Sequence, residues 1–163
     1  MGIESLSTLV TQWPTDWILI GACAALAAFD ALRGGSGRVA AAALALPTAL
    51  LLYEKLPATA YLGPFIAQFA SPLAQGALFA VIFVALYLFI RRIVGLWGES
   101  DGGPVQALIA GIACATVVVT TWMQVPALDS VWHFGPQVQL IFGEAYRFWW
   151  LLISFAGLAY VRS

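Results

Sequence analysis

Residues 73–90 read LAQGALFAVIFVALYLFI, eighteen consecutive residues without a charge, closed by Arg91 and Arg92. A run of this length and polarity matches the thickness of bilayer hydrocarbon, which about 20 apolar helical residues cross. The rest of the chain agrees with it. Of 163 residues, 62% are hydrophobic and 9% charged, and the mean hydropathy is +0.91. A water-soluble domain carries about a quarter charged residues, so this chain has too little polar surface to coat a globule in water. Its natural solvent is lipid. The composition predicts an all-α fold, a polytopic transmembrane helical bundle of four or five spans with short interfacial helices, in one domain over 1–163.

Working outward from the third span, two shorter apolar runs precede it, at 17–32 and 39–53. Both fall below the length that crosses hydrocarbon untilted, so they either thin the lipid locally or fold back as a re-entrant hairpin; spanning is the favoured reading. Thr15 or Asp16 can cap the first of them. Its preceding sixteen residues hold Glu4 and Asp16 and no Lys or Arg, unlike a secretory leader, so the run reads as a retained helix. Between the two runs lies FDALRGGSGRV, residues 29–39. It lacks the glycine spacing and the Lys-Ser/Thr pair of a phosphate loop, and reads as a surface turn. Asp30 is the one candidate for an intramembrane charge, and Arg33, three residues on, is its expected partner along the helix face.

After the third span, SDGGP signals a helix start, with Pro104 in the first turn. The fourth span is predicted over 105–125. The segment 61–70 reads as interfacial. PQVQLIFGEAYRFWWLLISFAGLAYV, from Pro136 to Val161, reads as one long helix, interfacial over 137–147 and spanning over 148–161. Alternating spans place Arg33, Arg38, Arg91, Arg92 and Arg162 on one side and Lys55 and Arg147 on the other. This five-to-two bias predicts an N-terminus outside and cytoplasmic turns at 33–38 and 91–104.

Candidate chemistry is sparse. No HExxH, GxSxG or Walker motif occurs, and His133 is the one histidine. Cys23 and Cys114 each lie in an apolar run and read as packing residues. No catalytic, cofactor-binding or metal-binding residues are assigned, and no basic patch points to nucleic acid. The polar positions of interest are Asp30, Arg33, Arg38, Gln75, Arg91, Arg92 and Asp101. Ala107, Gly111 and Ala115 form a row of small residues at four-residue spacing that lets helices approach closely, within the monomer or between copies. Membrane lipid and other membrane proteins, or a second copy, are the expected partners.

The pieces DWILI, ALRGGSGRV, LYLFIRRIVGLWG, SDGGPVQALIAGI and MQVPAL, over roughly 15–128, together resemble the colicin V production protein family. The resemblance implies a non-enzymatic bacterial inner-membrane protein with an accessory or scaffold role in toxin export or envelope homeostasis. Two features depart from the family layout: the turn before the fourth span carries Asp101 without an arginine, and the C-terminal element is apolar. The rival reading is a small transporter, channel or holin-like pore; an enzyme acting on lipid comes third, for want of an acid–base or nucleophile cluster.

Overall fold

The computed structural model describes residues 15–59, 71–95 and 103–162. Seven α-helices run through them, with no strand among the described residues: α1 (Thr15–Gly34), α2 (Ser36–Lys55), α3 (Pro72–Gly95), α4 (Pro104–Trp122), α5 (Pro126–Asp129), α6 (Pro136–Ile141) and α7 (Glu144–Arg162). The first four are long and apolar enough to cross a membrane. The interfacial segment expected at 61–70 lies outside the described residues, as does Asp101.

Several boundaries differ from the sequence expectation. The first two spans are 20 residues each, so neither needs thinned lipid to cross. Their extra turns carry Arg33 and Lys55, whose long stems let a helix continue while the charge stays near water and beside the negative helix end. Pro47 does not break α2, and Thr48 Oγ1 donates to the Leu44 carbonyl 2.8 Å away. The fourth span stops at Trp122 rather than Val125. Val125 is extended (φ −100°, ψ 106°), because the ring of Pro126 excludes the helical conformation from the residue before it. The C-terminal element is not one helix. It bends at Phe142–Gly143 into α6 and the 19-residue α7.

Helix starts follow from capping chemistry. Ser71 Oγ accepts from the Ala74 N–H at 3.2 Å, ahead of Pro72 at the first helical position of α3. Gln106 Oε1 accepts from the Gly103 N–H at 2.9 Å, the backward half of a capping box at the start of α4.

α4 is the central helix, packed against α1, α2 and α7. The core is built from small side chains: Ala31, Ala40, Ala43, Ala107, Ala110 and Ala113 are buried together with Cys114 and Val117, and Leu158 and Val161 of α7 close the cluster. Cys23 and Cys114 are free thiols. At Gly111 the approach is closest. A Cβ there would lie 2.5 Å from the Ala24 carbonyl oxygen and 2.7 Å from Ala28 Cβ. Ala107, Gly111 and Ala115 are all buried, so this row serves packing inside the monomer. α3 packs chiefly on α2, through Ala49, Leu50 and Phe79, with the rings of Tyr53 and Phe79 edge-on at 5.8 Å.

Candidate functional site

Polar groups inside the apolar helices are mostly closed onto their own helix. Thr116 Oγ1 donates to the Ile112 carbonyl, and Thr120 Oγ1 donates to the Thr116 carbonyl, both at 2.9 Å. Gln124 Nε2 reaches the Thr120 carbonyl at 2.8 Å. Such back-bonding satisfies a hydroxyl without a partner helix. Thr121 Oγ1 is the exception, buried and without a partner.

Two polar clusters remain, one at each end of the bundle. The first is the α1–α2 turn. Gly35 takes φ 80° and ψ 151°, a positive-φ extended conformation that glycine adopts without steric cost, and this reverses the chain within one residue. Gly34 closes α1, and Gly37 already lies in α2. The reversal folds Arg38 back across Gly34, where its Nη2 meets Asp30 Oδ1 at 3.3 Å. Arg33, the partner expected from sequence, instead lays its guanidinium over the Phe29 ring, 4.4 Å from the centroid. Asp30 thus pairs across the turn and not along its own helix. With the side chains 45% and 38% exposed, the pair is worth about 0.2–1 kcal/mol, enough to favour one turn geometry but little more. Arg91 and Arg92 are exposed at the end of α3, and Gln75 is half-buried near its start; none of the three joins this cluster.

The second cluster gathers at the opposite end, where α1 begins and α4 finishes. Asp16 does not cap α1 from outside. It lies in the first turn, only 8% exposed, and its carboxylate reaches residues more than a hundred positions away. Oδ2 accepts the Gly135 N–H at 2.7 Å and Oδ1 accepts Trp132 Nε1–H at 3.2 Å. Trp122 Nε1–H donates to the Trp132 carbonyl at 3.1 Å, so the loop after α5 is held from both sides. Phe134, Val138 and Phe142 then pack on Val119 beneath it, with Trp17, Trp122 and Trp150 around them.

Beside this clamp lies a cleft of about 310 Å³, lined by residues including Asp129, His133, Gln139 and Arg147. His133, 69% exposed, has its Nδ1 3.0 Å from both oxygens of Asp129. Its Nε2 lies 2.9 Å from Gln139 Nε2. A carboxylate can only accept, so Nδ1 carries the proton here and Nε2 accepts from the amide. The second amide hydrogen of Gln139 goes to the Phe134 carbonyl at 2.8 Å. Arg147 enters from α7 with its Nε buried and without a hydrogen-bond partner. The sequence offers His133 only as its one histidine, in a loop beside Trp132 and Phe134. Asp129, one helical turn before it, was the available signal; Gln139 follows on α6, and Arg147 arrives only through the α6–α7 bend.

No family model, curated protein or solved structure matches the chain.

Proposed function

We propose that the protein is a non-enzymatic scaffold or accessory subunit of a bacterial inner membrane, with its N-terminus outside and a role in export or envelope homeostasis. The observation that carries this reading is the outer face of α1. Gly21, Ala22 and Ala25 are exposed there, Gly21 and Ala25 at the small-xxx-small spacing that lets a second helix approach closely. A Cβ at Gly21 would touch nothing within 4 Å. Leu26, Phe29 and Leu32 extend the exposed apolar surface toward the turn. The small-residue row of α4 is occupied by α1, so α1 supplies the face left for assembly. The resemblance of the sequence layout to colicin V production proteins points to the same role. α7, lying along α4 to the end where Leu158 and Val161 join the core, is read as a fifth crossing carried by the bundle.

Affinity capture from native membranes, with mass spectrometry of what co-purifies, tests the role. A reproducible membrane-protein partner is expected, with recovery several-fold lower for Gly21→Leu, a substitution that points into open space. Absence of any partner, together with proton or solute flux in liposomes, would replace the scaffold by the transporter or pore.

Orientation has its own test. In a Cys23→Ala, Cys114→Ala background, Lys55→Cys should react with an impermeant maleimide on intact spheroplasts. Arg92→Cys should react only after permeabilisation. The opposite pattern would invert the topology.

A further inference from the structure

Opposite charges line the cleft beside the Asp16 clamp without neutralising each other. Among the described residues the one pair of formal charges is Asp30–Arg38, and His133 meets Asp129 as a neutral donor; Arg147 belongs to neither contact. Glu144, one turn before Arg147 on α7, is exposed and does not pair with it. In the cleft lining, Asp129 is 42% exposed and keeps carboxylate lone pairs beyond those facing His133 Nδ1. Gln139 has both amide hydrogens engaged, which leaves its carbonyl oxygen as a second acceptor. Arg147, on the same lining, brings a guanidinium, a pure donor. Acceptors and a donor that line one cleft without pairing with each other complement a dipole.

We propose that this cleft binds a small zwitterionic group, its primary ammonium received by Asp129 and Gln139 and its oxyanion by Arg147. That chemistry belongs to an ethanolamine phospholipid headgroup and equally to a free amino-phosphate. A second, apolar groove of about 520 Å³ flanks the same α6–α7 bend, lined by Leu140, Ile141, Tyr146, Trp149, Trp150 and Ile153. Acyl chains fit such a lining, and tryptophan and tyrosine are the residues that settle at headgroup depth. The assignment is independent of the scaffold reading, since it uses none of the α1 face.

Binding is measured on the full chain in detergent micelles by thermal shift with three probes: dioctanoyl phosphatidylethanolamine, dioctanoyl phosphatidylglycerol and free O-phosphoethanolamine. The ethanolamine lipid should saturate at about fivefold lower concentration than the glycerol lipid, the size of one solvent-accessible ammonium–carboxylate contact. Arg147→Gln should weaken the ethanolamine lipid by about tenfold, as the loss of a charge-assisted bond to the phosphate requires. Asp129→Asn should abolish the preference between the two lipids. Free phosphoethanolamine binding as well as the lipid assigns a soluble ligand, whereas binding of the lipid alone assigns the headgroup. Equal binding of both lipids to the wild type, or an unchanged Arg147→Gln variant, overturns the proposal. Should Arg147→Gln not fold, Asp129→Asn decides on its exposed side chain, and a retained preference overturns it.

Discussion

Gly111→Leu is expected to abolish the folded bundle, and Gly111→Ala to lower its stability by about 1–3 kcal/mol. The contact on this position is with backbone. A Cβ would stand 2.5 Å from the Ala24 carbonyl oxygen and 2.8 Å from the Ala28 backbone nitrogen, neither of which can rotate away. Relief requires α1 and α4 to separate, and separation opens voids along the alanine core that joins them. In lipid, where burial of apolar surface gives helices little reason to associate, loss of this dispersion contact is not made good by another driving force. Replacing glycine by alanine within a helix ordinarily gains up to about 1 kcal/mol from propensity, so steric cost must outweigh a real benefit.

The control lies on the same pair of helices. Gly21→Ala, with open space around the new methyl, should leave thermal stability in micelles unchanged or raise it slightly. Ala28→Gly combined with Gly111→Ala should recover part of the loss. It removes the 2.7 Å methyl contact and leaves the one with the Ala24 carbonyl. Melting followed by circular dichroism decides. A Gly111→Ala variant as stable as Gly21→Ala would show that the α1–α4 interface is not the tight one.

The elements legible in the sequence were those set by one-dimensional properties. Eighteen uncharged residues at 73–90 could only be a membrane helix, and Pro104 after paired glycines marked the start of α4. Arg33 and Lys55 misled, because a charge reads as the end of a span although its stem extends the helix by a turn. The polar contacts escaped for a different reason. Asp30 has an arginine three residues away in its own helix, but Gly35 turns the chain so sharply that Arg38 arrives first, and Arg33 settles on Phe29. Gly143 sits in a periodic apolar run where one glycine looks tolerable, so the bend that brings Arg147 to His133 left no mark. The small-residue row was visible, yet periodicity could not say whether a neighbour in the monomer or a second copy would fill it.

Asp16→Ala is expected to cost about 2–4 kcal/mol and to release the loop from Val131 to Pro136. The carboxylate accepts from one backbone and one indole N–H. Hydrogen bonds to a charged group are worth about 1.5–3 kcal/mol each, and deletion takes the acceptor from two donors in a half-buried corner. Its place in the first turn of α1 adds about 0.3–1 kcal/mol, since the helix start favours negative charge. Asp16→Asn separates these terms. Its single carbonyl can serve Gly135 or Trp132 but not both, and its amide hydrogens confront whichever donor remains, so the loss should be intermediate. The loop, not the whole bundle, should respond first, because α4 packs on α1 through Gly111 well away from this end. Hydrogen exchange at the Gly135 amide should therefore accelerate on the order of 10- to 100-fold while the α4 amides around Val117 keep their protection. Trp132 emission should shift as its indole N–H loses the carboxylate. Unchanged exchange at Gly135 in Asp16→Ala would show that the aromatic packing of Phe134 on Val119 and Trp17 suffices to hold the loop. The 119-residue link between the first turn of α1 and Gly135 would then be a consequence of the fold rather than one of its causes.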